Sequence, residues 1–250
     1  MATGLQLTVH SAKEDLSCLP FFRGASQATL ARAVPAARWF SVETDQLLFD
    51  YGDECADVFL LVSGALRVSI RTALGQEMIL ADIAAGELFG DIAAIDGATR
   101  SAGVVALCRS RLCRLSAALF LDITLNDPTL ALRLLRTVTA RLRREDERLF
   151  ELAALPVRER LGAEILRLSK PRSGGGRVIS PPPPQHVIAA RIGARRETIS
   201  LSLRSLVEAG LIEVSSRAVI VPKPKVLRAF VDARLQGACP SDLNTRDIRK

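Results

Sequence analysis

Two short stretches hold the side chains best able to do chemistry. Between Gly86 and Ala102 the chain reads GELFGDIAAIDGATRSA. Phe89-Gly90-Asp91-Ile92-Ala93 comes first, and Arg100-Ser101-Ala102 follows nine residues on, counted from Asp91 to Arg100. Small residues let backbone N–H groups approach an anion closely, and a short helix starting near Asp91 would aim its positive end there. Arg100 supplies a forked cationic donor, Ser101 a hydroxyl, and Asp91 an acceptor for a sugar hydroxyl. Together these are the parts of a sugar-phosphate pocket. A turn carrying a surface arginine uses the same residues, and the pattern alone favours neither reading.

The second stretch is QHVIAARIGARRETISLSLRSL, from Gln185 to Leu206. Val187, Ile188, Ala190 and Ile192 recur at helical spacing, as do Thr198, Ile199, Leu203 and Leu206 on the far side of Gly193-Ala194. Two helices joined at a glycine form a helix-turn-helix, whose second helix can enter a DNA major groove. That helix opens on Arg195, Arg196 and Glu197. Arginine can bond guanine through two acceptors, and glutamate can accept from the cytosine amino group. A plain helical hairpin with charged ends is the competing reading, but glycine, charges and apolar spacing coincide here and place DNA binding ahead.

Charge supports this. The net charge is +7, yet residues 170–250 carry 15 Lys and Arg against 6 Asp and Glu, while the rest carries 19 against 21. Basic charge is thus confined to the part holding the helix-turn-helix, as phosphate neutralisation requires. Cys18, Cys55, Cys108, Cys113 and Cys239 are scattered without a C-x-x-C pair, so neither a disulfide framework nor a zinc site is expected. His10 and His186 are the only histidines, too few for a haem or metal site. No nucleophile–base pair is placed, which argues against an enzyme. With no apolar run of membrane length and no signal-peptide core, a cytoplasmic protein is expected.

The elements that must position these residues can be read in outline. Leu16–Phe22 and Ser26–Val34 suggest a short helical entry capped by Ser26. Leu47–Phe49, Val58–Val62, Leu66–Ile70, Met78–Ile83 and Val104–Leu107 are short apolar runs between turn residues, and glycines recur at positions 52, 64, 75, 86 and 97. That spacing predicts an antiparallel barrel or roll of short strands. From residue 127 to 155 a long helix is expected. Its seam of Leu132, Leu135, Thr139, Leu142, Asp146, Leu149 and Ala153 alternates steps of three and four and predicts a parallel homodimer. Asp146 on that seam would set two carboxylates near each other, unfavourable unless hydrated, covered by Arg143 or Arg144, or paired by a ligand. After Pro156 come a second helix (VRERLGAEILRLS), a flexible KPRSGGG loop, a short strand at 177–180 and a stiff Pro181–Pro184 spacer. Beyond the helix-turn-helix, Gly210–Ile212 and Val219–Val221 read as the two strands of a wing, and the chain from Ala238 as a loose tail.

In this order the chain resembles the CRP/FNR family of bacterial transcription regulators from about Leu16 to Phe230. The expected fold is α+β: an N-terminal antiparallel, jelly-roll-like β-roll (16–126), a long dimerisation helix (127–155), a C-terminal winged helix-turn-helix (156–235) and a tail (236–250). Leu203, Leu206, Gly210, Leu211 and Ile212 match the family's L-x-x-L-x-x-x-G-L-I ending. Phe89-Gly90-Asp91-Ile92-Ala93 and Arg100-Ser101-Ala102 are similar to the phosphate-binding cassette of its cyclic-nucleotide members, with Asp91 in place of a glutamate that holds the ribose 2′-hydroxyl. Glu145 and Asp146 fall where cAMP-responsive members offer hydroxyls to the base. A carboxylate matches the adjacent N1–H and N2–H of guanine, so cAMP and cGMP both stand as effectors, with a lean towards cGMP. The counterparts of iron–sulfur cysteines and haem ligands are missing. Arg195, Arg196, Glu197, Ser200 and Arg204 are the implied DNA contacts, and Leu201 stands where the family carries a base-reading arginine. The resemblance implies as partners double-stranded DNA with a two-fold symmetric operator, a second copy of the chain, and RNA polymerase. A member of the family without an effector, set by abundance or cysteine oxidation, is the alternative.

Overall fold

The computed structural model describes residues 15–72 and 75–235; His10, Cys239 and the expected tail lie outside them. The chain forms two compact units, one up to Leu142 and one from Arg143.

The first unit begins with single turns at Leu16–Cys18 and Pro20–Phe22, then α1 (Gln27–Ala36), capped by the Ser26 side chain accepting from the Thr29 N–H. Strands β1 (Arg38–Val42), β2 (Leu47–Phe49), β3 (Val58–Ser63), β4 (Ala65–Arg71), β5 (Glu77–Ala84) and β6 (Leu88–Phe89) follow, then α2 (Asp91–Asp96), β7 (Gly103–Ala106), β8 (Ser110–Leu115) and α3 (Ala117–Leu125). Every strand pair is antiparallel, in two four-stranded sheets ordered β1-β8-β3-β6 and β2-β7-β4-β5. This is the expected roll, with β1, β6, β8 and α3 added to the elements the apolar runs predict.

Its packing follows from strand alternation. On β3, Phe59 and Leu61 face a core shared with Phe40, Phe49, Leu66, Phe89 and Leu112 from both sheets. Val58 and Leu60 face the opposite side, packed with Phe22, Phe120, Ile123 and Leu130. With both faces covered, β3 reads as an unbroken apolar run. Gly64, between β3 and β4, has no room for a side chain, since a Cβ would sit 2.2 Å from Ser110 Oγ.

Helix α4 (Pro128–Ala154) starts in this unit. Asp127, buried at its N-terminal end, accepts from Thr129 N and Leu130 N through one oxygen, and from Ser26 N at 2.9 Å and Thr29 Oγ1 at 2.8 Å through the other. It thereby joins the starts of α1 and α4. The Ser26 N–H above all, with the Thr29 hydroxyl and Leu130 N–H, holds its carboxyl down at about 2 against the opposing effect of burial.

The second unit contains the remainder of α4, then α5 (Val157–Leu168), β9 (Lys170–Pro171), β10 (Arg177–Ile179), α6 (Gln185–Ile192), α7 (Arg196–Glu208), β11 (Glu213–Val214), β12 (Val219–Val221) and α8 (Pro224–Leu235). The sheet order is β11-β12-β10-β9. Leu161, Ile165, Ile188, Ile192, Ile199, Leu206, Val221, Leu227 and Val231 share one core. Four details differ from the sequence reading. Lys170 and Pro171, expected within a flexible loop, pair with β10 as β9. The first wing strand starts at Glu213, because Leu211 and Ile212 are drawn into the core instead. In α6 the buried alanine is Ala189, with Ala190 half-buried. Helix α8, to which no element had been assigned, closes the core with Leu227, Phe230 and Val231.

Candidate functional site

Phe89 ends β6, and Gly90 turns the chain into α2 at φ +77. Only glycine fits: a Cβ there would lie 2.8 Å from Arg100 Nη1 and 2.9 Å from the Asp57 carbonyl oxygen. The strand-to-helix turn brings Asp91 and Arg100 to one end of the roll, both buried, at 1% and 2% exposure. Ser101 and Ile92 are exposed, and Ala93 packs inside. The short helix expected from Asp91 is present as α2.

Arg100 is seated on neutral groups. Its Nη2 donates to the Asp57 carbonyl at 2.6 Å, Nη1 to the Gly90 carbonyl at 2.9 Å, and Nε to Cys55 Sγ at 3.2 Å. The guanidinium lies over the Phe49 ring, 4.1 Å from its centre, and 5.7 Å from that of Phe59. The Asp57 carboxylate is engaged elsewhere, with Arg114 at 2.7 Å. Among the described residues no carboxylate pairs with Arg100. A buried cation held only by neutral acceptors is expensive, and an incoming anion offsets that cost. The pocket therefore has charge of the sign, and donors of the kind, that a phosphate needs.

Asp91 has a partner that sequence reading missed. Arg141 Nη1 reaches both carboxylate oxygens, at 2.8 and 3.0 Å, and its Nη2 donates to the Leu88 carbonyl. Local periodicity holds no sign of a pairing across 50 residues. Two of the carboxylate's roughly four acceptor positions remain for a sugar hydroxyl. Glu145 and Asp146, the expected base contacts, are exposed on α4 in the second unit.

In that unit, Gly193 ends α6 in the left-handed conformation, and Arg195 is the extended cap of α7 rather than its first turn. Two arginines secure the end of α6: Arg148 donates to the Arg191 carbonyl at 3.0 Å and Arg160 to the Ile192 carbonyl at 2.8 Å. Ile199, Ser202 and Leu206 are buried, so α7 turns Arg196, Glu197, Ser200, Leu201 and Arg204 to solvent. Ser200 Oγ donates to Gln185 Oε1 at 2.6 Å, tying the two helices together. Beneath them lie buried ions: Glu159 with Arg158, and Glu164 with Arg167 and Arg191. Among the described residues no His, Cys, Asp and Glu cluster could hold a metal ion, and no helix is long and apolar enough to cross a membrane.

Both regions of the chain match known proteins. Residues 39–127 fit the model of the cyclic nucleotide-binding domain, and residues 159–230 that of the Crp-like helix-turn-helix domain. The cyclic AMP receptor protein of Thermus thermophilus is 33% identical, covering 72% of this chain and 82% of its own. A CRP-like cAMP-activated global transcriptional regulator of Mycobacterium tuberculosis is 22% identical, covering 83% and 94%. In fold, a CooA mutant from Carboxydothermus hydrogenoformans superposes with a TM-score of 0.70 at 20% identity, covering 89% of this chain and 97% of that one. On this sequence identity and these two domain matches, the chain belongs to the CRP/FNR family of transcription regulators, DNA-binding proteins rather than enzymes.

Proposed function

We propose that this regulator acts as a homodimer in the cytoplasm, binding a two-fold symmetric DNA operator under control of a cyclic purine nucleotide, cAMP or cGMP, and working with RNA polymerase. The observation that carries the effector is Arg100, buried and with no counter-ion among the described residues. In this reading Arg100 and Ser101 take the phosphate, Gly90 lets the backbone approach, and Asp91, held by Arg141, accepts from the ribose 2′-hydroxyl. Phe89, Ile92 and Ala93 shape the wall around them. Glu145 and Asp146 then meet the base, and Asp146 matches the paired donors of guanine.

Dimerisation is supported by the stripe on α4, where Leu132, Leu135, Leu142 and Leu149 are 48%, 64%, 59% and 66% exposed in the single chain. The names of the relatives favour an effector over the alternative of control by abundance or cysteine oxidation. DNA contact falls to Arg195, Arg196, Glu197, Ser200 and Arg204.

Calorimetric titration of the full chain with cAMP and with cGMP tests the effector. Saturable binding of at least one of them to the wild type, lost in Arg100→Gln with its fold intact by circular dichroism, is expected. A wild type that binds neither nucleotide overturns this reading.

A further inference from the structure

We infer that Leu201 reads the 5-methyl group of a thymine in each operator half-site. The inference rests on α7 being the recognition helix and adds a specificity contact to it.

Leu201 is 64% exposed in the middle of the solvent face of α7. Its neighbours on that face are polar: Glu197 one turn before, Ser200 beside it and Arg204 one turn after, all exposed. The Ser200 proton is committed to Gln185 at 2.6 Å, which fixes the surroundings of Leu201. Nothing in the unit's core needs this leucine, since Ile199 and Leu206 fill that role. Arg195 and Arg196 add positive charge at the start of the same face. The occupant that suits it is a duplex, because a basic face with one apolar knob matches a phosphate-lined groove floored by base edges.

The chemistry then selects the base. In the major groove guanine, adenine and cytosine present hydrogen-bonding atoms, and thymine adds the one apolar group, its C5-methyl. A leucine pressed on a donor or acceptor would strip it of water and return no hydrogen bond. Against the thymine methyl it buries apolar surface on both sides. Leu201 therefore favours an A·T pair and penalises the others. Uracil pairs as thymine does but lacks the methyl, and so isolates this contact.

An operator is first selected from random duplexes with the wild-type protein in three arms, with cAMP, with cGMP and with no nucleotide. Thymines are then replaced singly, and symmetrically in both half-sites, by uracil. Burial of one methyl is worth about 0.8 kcal/mol, so affinity falls about fourfold per half-site at one position. Leu201→Ala binds the thymine and uracil versions equally, whereas Arg196→Ala retains the difference. If selection yields no operator, the DNA-binding reading itself fails. If an operator is found but uracil is tolerated at every position, or the Leu201→Ala protein still prefers thymine, the assignment of Leu201 is overturned while DNA binding stands.

Discussion

Arg141 grips Asp91 with both carboxylate oxygens in reach, at 2.8 and 3.0 Å, and so couples the long helix to the turn that forms the pocket. Asp91 is 1% exposed, whereas the Arg141 side chain is 30% exposed, so solvent screens one side of the pair. Arg141→Ala leaves the buried carboxylate unpaired and should lower stability by about 2 kcal/mol in urea unfolding, below the range for a wholly buried pair. Nucleotide affinity should fall as well. The double variant Arg141→Ala/Asp91→Asn should recover much of the stability and little of the affinity, because it removes the orphaned charge and leaves the ribose hydroxyl only a weaker, neutral amide acceptor. An Arg141→Ala protein as stable as the wild type would mean that the pair contributes nothing to the fold.

Cys55 offers a reporter for the pocket. Its exposed thiol lies 3.2 Å from Arg100 Nε. Saturating nucleotide should slow maleimide labelling of Cys55, measured by peptide mass spectrometry, and leave Cys108, which is exposed elsewhere, labelled at an unchanged rate. Equal labelling of Cys55 with and without a nucleotide that binds would place the ligand away from Arg100.

Recognition of DNA divides by residue. Arg196→Ala and Glu197→Ala should each cost about 1–3 kcal/mol of discrimination at one base pair. Arg204→Ala should weaken all sequences alike and reduce the salt slope by about one counter-ion per half-site. Binding of selected and scrambled operators at several salt concentrations separates these outcomes, and an Arg196→Ala protein with unchanged base preference would rule out α7 as the reading helix.

Asp146 is exposed on α4, among the leucines assigned to the dimer seam. In the proposed dimer without ligand, two such carboxylates would loosen the helix pair, and a base pairing with Asp146 only in the ordered state would shift the population towards it. Asp146→Leu should raise operator binding without nucleotide and weaken any preference for guanine. A variant as inactive as the wild type without ligand, and with the same nucleotide preference, would show that Asp146 is merely hydrated.

Asp127 sets an acid limit. Its carboxyl is held at about 2, below its ordinary value of 3.8, so its contribution is nearly complete above pH 4 and is lost as pH falls through 2. Asp127→Asn should be less stable at neutral pH by about 2 kcal/mol and should show a shallower loss of stability between pH 4 and 2, followed by tryptophan fluorescence of Trp39. Parallel acid curves for the two proteins would place that acid sensitivity elsewhere.

Much of this was legible in local pattern. The runs at β2, β3, β4, β5 and β7 announced themselves by apolar content bounded by turns, and α6 and α7 by helical spacing around Gly193. Strands β1 and β8 were hidden because Arg38, Arg111 and Arg114 break their apolar character; the two strands pair register for register, Arg38 opposite Arg114. The cassette was readable as a set of residue types. The partners that hold it were not, since Arg141, Asp57 and Phe49 reach it through tertiary folding. The buried ions Glu159 and Glu164 look in sequence like the solvated face of an amphipathic helix, and only the packing of α5 against α7 and α8 encloses them.

The seat of Arg100 also sets a threshold for what can occupy the pocket. Three of its five N–H groups already have acceptors and its flat face already has a ring, so an arriving anion has only the remaining two to bond, a narrow margin of attraction. A small anion such as chloride or free phosphate brings no further contacts to widen that margin. A molecule that also engages Asp91 and fills the mouth of the roll does. On the function proposed, background ions would thereby be screened out, and the regulator would stay silent amid the abundant phosphate of a cell until a whole nucleotide arrives.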